Sequence, residues 1–163
     1  PAVAKIGFHA RVVLERPGFF PAGGGVAHAE VDPVDALQQV DFAERGALQA
    51  IEATALLSGL AMHIGERELR TLAARFGLRE SALHLRQIKP PNGPGNALLL
   101  QVRCADHVET FTAHGERGRS AEQVAEALAD DAQAWLEGDA CVAEHLSDQL
   151  LLPMALAGGG GFT

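Results

Sequence analysis

The chain is poor in cysteine, lacks long apolar runs, and has no basic residue in its last quarter. Two cysteines, Cys104 and Cys141, are too few for a disulfide framework, so we expect two reduced core thiols and a cytoplasmic location. No apolar run reaches the roughly 18 residues that a membrane-spanning helix needs. No charged segment followed by an apolar one marks a secretory signal. We therefore expect no membrane partner.

The length of 163 residues fits one domain, or a small domain with pieces of another. The first residue is Pro1 and not Met, so we expect that the chain is processed or lies within a longer gene product.

The charges are unevenly distributed. All 13 Lys and Arg residues lie at or before Arg119, whereas residues 120–163 carry eight acidic residues. An acidic protein does not coat nucleic acid, although it can act on one RNA end through a few phosphate contacts. The first five of these acids are expected to form the solvated face of a helix: Glu122, Glu126, Asp130, Asp131 and Glu137.

The apolar periodicity predicts a mixed α/β (α+β) fold. The spacing predicts the tail of a helix at 1–7, strands at 8–15, 26–31, 48–57, 82–88, 97–104 and 107–114, a helix ending at Gly77, a loop at 89–96, and a helix from Ser120 to Gly138. Residues 44–138 thus follow the order β-α-β-β-β-α. The flanks, 1–43 and 139–163, have too few elements for a core of their own. We expect them to be two pieces of one larger domain into which the middle unit is inserted.

The last segment, 144–163, reads E-H-L-S-D-Q-L-L-L-P-M-A-L-A-G-G-G-G-F-T. On a helix His145, Asp148 and Gln149 share one face. A second face is expected to be buried, and it carries Val142, Leu146 and Leu150. By spacing alone, His145 and Asp148 are either a base with its orienting acid or a surface pair.

Two further features of this segment affect the path of its backbone. Pro153 is expected to end the helix. The glycines at 158–161 let backbone approach either backbone or a ligand.

The usual metal and phosphate motifs are missing from the sequence. None of the seven histidines has H-x-H or H-E-x-x-H spacing, so we expect no metal site. The glycines at 23–25 and 158–161 fit neither the dinucleotide-binding fingerprint nor the P-loop.

Four segments nevertheless resemble RNA 3′-terminal phosphate cyclases, in order and spacing along the whole chain. At 16–25 the chain reads R-P-G-F-F-P-A-G-G-G, where the family has H-G-F-Y-P-A-G-G-G. At 144–162 the match is to E-x-L-A-D-Q-L-L-L-P-x-A-L-A-G. E-R-G at 44–46 and G-P-G-N at 93–96 also have counterparts. The resemblance implies a large domain of repeated units, each a four-stranded sheet with two helices, and a smaller inserted domain. It assigns 1–43 and 139–163 to the large domain and 44–138 to the inserted one.

The resemblance also implies an activity. The family converts an RNA 3′-phosphate into a 2′,3′-cyclic phosphate with ATP and Mg²⁺ or Mn²⁺. A histidine takes AMP from ATP and passes it to the RNA phosphate, and the neighbouring 2′-hydroxyl then displaces the AMP. The ATP-binding segment is expected to comprise His145, Leu146, Ser147, Asp148 and Gln149, where Ser147 replaces the usual Ala and position 145 varies between His and Tyr. A second candidate for substrate or nucleotide contact is the loop Phe19, Phe20 and Pro21.

The family's AMP-accepting histidine follows shortly after the position of Thr163, so we expect no catalytic residue and no activity in this chain alone. The expected partner is an RNA 3′ end, and self-association is expected through the unpaired strands of 1–43 and 139–163. The alternative is an inactive chain that acts only by binding, as in the family's rRNA-processing branch.

Overall fold

A computed structural model of the chain describes residues 2–89 and 93–163, and mixes helices with several small sheets. The elements in chain order are helix α1 (Ala2–Lys5), strands β1 (Ala10–Arg16), β2 (Val26–Val31), β3 (Asp41–Phe42) and β4 (Leu48–Ser58), helix α2 (Met62–Phe76), a 3-10 turn (Glu80–Ala82), strands β5 (Leu83–Gln87), β6 (Gly95–Cys104) and β7 (Val108–His114), helices α3 (Ala121–Glu137) and α4 (Glu144–Leu156), and strand β8 (Gly161–Phe162).

A four-stranded sheet forms the centre of the molecule, in the order β5-β4-β6-β7. Strand β5 runs parallel to β4, and the other neighbours are antiparallel. Alternate residues of each strand point to one face, and α2 and α3 pack against that face. The buried side chains of this sheet core are Ala53, Ala55, Leu69, Leu72, Leu98, Leu100, Val102, Cys104, Phe111, Ala125, Leu128, Ala129, Ala132 and Trp135. The expected order β-α-β-β-β-α is therefore present between residues 48 and 137, while its status as an inserted domain stays a prediction.

The ends of α2 and α3 confirm the sequence interpretation. Helix α2 ends at Gly77, whose φ of 64° is left-handed and whose N–H donates to the oxygen of Ala73. Ser120 caps α3 by accepting from the N–H of Gln123, and the Gln123 side chain accepts from the N–H of Ser120 at 2.9 Å.

The acidic face of α3 is not only solvated, because arginines of α2 reach it. Arg67 donates two hydrogen bonds to the carboxylate of Glu122, from Nε at 2.7 Å and from Nη2 at 2.5 Å. Arg75 pairs with Glu126 and Asp130. These pairs join the two helices on the solvent side of the core.

Arg45 ties the chain before β4 to the end of α3. Its guanidinium donates to the carbonyl oxygens of Trp135, Leu136 and Gly138 at 2.6 to 2.9 Å, and lies 4.8 Å from the Trp135 ring centroid. These are acceptors that a helix end leaves unpaired, so the E-R-G segment has a structural role.

A second cluster, which we call the flanking core, brings together residues from both ends of the chain. It is built on α1, β3, α4 and β8, and β3 pairs in parallel with β8. Its buried residues are Ala2, Ile6, Phe42, Cys141, Val142, Leu150 and Met154. Cys104 and Cys141 are both buried free thiols, as expected.

The hairpin formed by β1 and β2 is largely exposed to solvent. All seven residues of β1 and five of the six residues of β2 are exposed. Its apolar residues Val12 and Leu14 are 69% and 58% exposed.

One sequence expectation is wrong. Pro153 does not end the last helix but lies inside α4, which continues to Leu156. Proline lacks the N–H that would reach the oxygen of residue 149, and its ring crowds that oxygen, but neither effect stops the later residues from staying helical. Its own oxygen still accepts from the N–H of Ala157 at 3.0 Å, so the last turn closes.

The structure also shortens one expected loop and adds two short strands. The expected loop at 89–96 gives way to β6 at Gly95, and its residues 90–92 lie outside the described residues. The two-residue strands β3 and β8 were not expected, because such short strands carry no periodicity.

Candidate functional site

Helix α4 presents the first group of candidate residues. Val142 just before the helix, and Leu150 and Met154 within it, are buried in the flanking core. Leu146 is half-buried against the same core. The face expected to be buried is therefore confirmed, and it fixes which side of α4 points outward.

The polar residues of α4 lie on the outward side. His145, Asp148 and Gln149 are all exposed, at i, i+3 and i+4 of one helix. Ser147 is half-buried, and its hydroxyl donates to the oxygen of Glu144 at 2.7 Å. A flat imidazole, a carboxylate and an amide thus share one accessible surface, and together they can stack, accept and donate hydrogen bonds.

The glycines that follow α4 pack against backbone. A Cβ on Gly160 would lie 2.8 Å from the oxygen of Val40, and its φ is 142°. The side chain of Gln39 donates to the oxygen of Gly158 at 2.9 Å. The run therefore brings β8 back beside β3, which supports the backbone-approach interpretation of these glycines.

The second candidate segment, the loop of Phe19, Phe20 and Pro21, contacts the start of β6. Phe19 packs against Gly95 at the start of β6, leaving no room for a side chain at that position. The loop is held by a hydrogen bond from the N–H of Gly23 to the oxygen of Phe19 at 2.7 Å, and by one from Arg16 Nε to Gly24 at 2.7 Å. The bond between Phe20 and Pro21 is cis, and the Phe20 side chain is 96% exposed.

A buried carboxylate lies at the beginning of α4. Glu109 on β7 is 2% exposed, and its Oε1 accepts from the backbone N–H of Ala143 at 2.9 Å. Ala143 is the residue that precedes α4. Burial raises the pKa of Glu109, and the hydrogen bonds from Ala143 and Thr110 act against that rise.

His107 lies beside Glu109. Its Nε2 is 3.6 Å from Glu109 Oε1, and its ring meets Phe42 and Trp135 edge-on. Burial lowers the pKa of His107, which favours the neutral ring.

The comparison with protein families matches this chain along its whole length. The family model described as RNA 3′-terminal phosphate cyclase covers residues 1–163. The chain belongs to the RNA 3′-terminal phosphate cyclase family. The protein described as RNA 3′-terminal phosphate cyclase from Koribacter versatilis (strain Ellin345) is 45% identical over all 163 residues. The chain spans 46% of the length of that curated relative.

Within this cyclase family member, the two expected site segments are in different surroundings. Helix α4, which carries the first segment, packs against the flanking core. In the second segment, Phe19 contacts Gly95, the first residue of β6. The structure brings the five α4 residues onto one turn and a half of helix, but their role in binding is a prediction.

Sequence reasoning missed Glu109 and His107. A signal for Glu109 was present, because Glu109 and Phe111 alternate along β7 and must face the same side. An acid at a core-facing position calls for a partner. Its partner, the N–H of Ala143, lies 34 residues away and could not be read from the sequence.

The described part of the chain lacks two kinds of feature, a metal-binding cluster and a membrane-spanning helix. Residues 2–89 and 93–163 contain no group of three or more His, Cys, Asp or Glu side chains placed to hold a metal ion. None of the helices in those residues combines the length and apolarity required to cross a membrane.

Proposed function

We propose that this chain is part of an enzyme that converts an RNA 3′-phosphate into a 2′,3′-cyclic phosphate with ATP. The observation that carries the proposal is the 45% identity to a named RNA 3′-terminal phosphate cyclase over every residue of the chain. Because the chain spans 46% of that relative, we propose that the AMP-accepting histidine lies outside these 163 residues. The chain alone is then expected to be inactive.

In this proposal the exposed face of α4 contacts ATP. The ring of His145 offers a flat surface on which adenine can stack. The carboxylate of Asp148 accepts hydrogen bonds from nucleotide hydroxyl or amino groups, and the amide of Gln149 donates and accepts. Leu146 and Ser147 hold the turn, through the flanking core and through the hydrogen bond to Glu144.

ATP supplies an activated AMP group, which makes the terminal phosphate of the RNA a better electrophile for its neighbouring 2′-hydroxyl. The contribution proposed for this chain is to bind and orient the nucleotide. Mg²⁺ is commonly held by one or two carboxylates together with substrate phosphates. We propose that the Mg²⁺ or Mn²⁺ ion is held mainly by the triphosphate.

The loop of Phe19, Phe20 and Pro21 is proposed as a second contact surface. Its backbone is held by the hydrogen bonds at Gly23 and Gly24, yet Phe20 is almost fully exposed. An exposed aromatic ring on a fixed loop is a suitable stacking surface for a base of the RNA or of the nucleotide.

The test is His145→Ala in the complete protein, with ATP affinity measured by calorimetric titration. Stacking of this kind contributes about 1 kcal/mol, so we expect ATP binding to weaken about five- to tenfold. The matched control is His63→Ala, which removes an exposed histidine from α2 and is expected to leave affinity unchanged.

Cyclisation is measured in parallel with labelled 3′-phosphorylated RNA, ATP and Mg²⁺. Unchanged ATP affinity in His145→Ala would contradict the role of α4. A complete protein that binds RNA but forms no cyclic ends with ATP would favour the binding-only alternative.

A further inference from the structure

Helix α4 begins without the side-chain cap that its neighbour α3 has. In α3, Ser120 and Gln123 satisfy each other's backbone N–H groups. At the start of α4 the corresponding positions are Ala143 and Leu146, and neither has a side-chain oxygen. The N–H groups at this end need acceptors from elsewhere.

Glu109 supplies one of these acceptors from a distant strand. In a capping box, the carboxylate three residues into the helix accepts from the N–H of the capping residue. Here Glu109 Oε1 accepts from that same N–H, on Ala143, at 2.9 Å. A carboxylate at the amino end of a helix is also favoured by the helix dipole.

The contact is made inside the protein. Glu109 is 2% exposed, and its carboxylate lies beside the buried ring of His107. A hydrogen bond to a charged group in such surroundings is stronger than one in water. It therefore holds the amino end of α4 in place more firmly than a surface cap does.

Its position relates it to the candidate nucleotide surface. Ala143 is the residue just before α4, and it lies two residues before His145, which is in the first turn of the helix. Any shift of this turn moves His145 relative to Asp148 and Gln149. Glu109 itself belongs to β7 of the four-stranded sheet, so the bond connects that sheet with α4.

We propose that Glu109 is a positioning residue for nucleotide binding: its buried carboxylate replaces the missing cap of α4 and fixes the turn that carries His145. This inference rests on the proposed function only in assigning the nucleotide to α4. It makes the four-stranded sheet a support for the binding surface.

The test compares three substitutions of Glu109 in the complete protein. Glu109→Ala removes the acceptor, Glu109→Asp withdraws it by one methylene, and Glu109→Gln keeps an acceptor oxygen of nearly the same shape. Losing one charge-assisted hydrogen bond that orders a binding turn is expected to weaken ATP binding about tenfold in the Ala and Asp variants. The Gln variant is expected to stay within about twofold of the parent, because a neutral acceptor retains part of the bond.

A second readout is independent of the nucleotide. Amide hydrogen exchange at Ala143, whose N–H donates to Glu109, and at Ser147, whose N–H donates to the oxygen of Ala143, is expected to accelerate in Glu109→Ala and Glu109→Asp and to remain slow in Glu109→Gln. The control is Glu52→Ala, which removes a half-buried carboxylate from β4 and is expected to change neither readout.

The two arms separate the failures. If the parent protein does not bind ATP, the proposed function fails, and the exchange data alone decide whether Glu109 fixes the turn. If the parent binds ATP and all three variants bind equally well, the positioning role is overturned. Glu109→Asp carries the test if Glu109→Ala does not fold.

Discussion

The four-stranded sheet with its two helices and the flanking elements differ in how completely they cover their apolar surface. The sheet core is enclosed by α2 and α3, and Ala53, Leu72 and Leu100 are fully buried. The flanking elements bury a smaller cluster and leave the β1–β2 hairpin and three leucines of α4 exposed. The first region has the content of an independent folding unit, whereas the second lacks cover for much of its surface.

This contrast supports two proposals. The division at 44 and 138 is favoured because the sheet core draws its buried residues from 53–135, while the flanking core draws them from both ends of the chain. Self-association of the chain through 1–43 and 139–163 is favoured because exposed strands with apolar side chains recruit other chains. Polar contacts between the two regions include the hydrogen bond from the N–H of Ala143 to Glu109 and the ion pair of Lys5 with Asp106 at 3.8 Å.

The largest expected effect on stability comes from truncating one buried leucine to alanine in each core. Leu100 and Leu150 are both fully buried, and Leu→Ala at such sites costs about 2–5 kcal/mol. We expect Leu100→Ala to lower the unfolding free energy of the whole chain. We expect Leu150→Ala to unfold the flanking core while amides of β4 and β6 stay protected, because regions with few contacts open separately.

Hydrogen exchange with denaturant titration measures this difference, and Leu152→Ala is the control. Leu152 is 68% exposed on α4, so its truncation is expected to cost less than about 0.5 kcal/mol. Equal loss of protection in both regions after Leu150→Ala would show that they unfold as one unit.

The two regions also differ in how far the sequence predicted them. Strand β2 matches its expected bounds, and the ends of α2 and α3 are as expected, because Gly77, Ser120 and Gln123 act locally. Alternation along β6 and β7 similarly determines which side chains enter the core. Local chemistry is therefore sufficient for most of the sheet region.

The flanking region depends on contacts between distant parts of the chain. Strands β3 and β8 pair across 120 residues, and Glu109 meets Ala143 across 34 residues. Neither contact leaves a periodic pattern. The surface of His145, Asp148 and Gln149 was predictable because it lies on one helix, while the carboxylate that supports it was not.

A smaller effect is expected from alanine at two glycines with positive φ, one in each region. Gly77 ends α2 with open space around its Cβ position, so Gly77→Ala is expected to cost about 1 kcal/mol from backbone strain alone. Gly160 has a φ of 142°, and a Cβ there would meet the oxygen of Val40 at 2.8 Å. Gly160→Ala is therefore expected to cost about 2 kcal/mol or more, because strain and overlap add. Urea denaturation compares the two variants, and equal costs would mean that β3 and β8 can separate without loss.

The smallest expected effect is electrostatic and lies on the surface of the sheet region. The hydrogen bonds from Arg67 lower the pKa of Glu122 from 4.5 to about 2. A carboxylate whose pKa is lower in the folded state stabilises the fold above pH 4.5, and this contribution is lost as the pH falls towards 2. Because both partners are substantially exposed, the effect is expected to be modest.

The difference in unfolding free energy between the parent and Glu122→Gln should therefore shrink steadily from pH 5 to pH 2.5. Repeating the measurement in an Arg67→Ala background removes the partner, and the difference should then be small at every pH. A difference that keeps its pH dependence without Arg67 would assign the lowered pKa to another cause, such as the position of Glu122 in the first turn of α3.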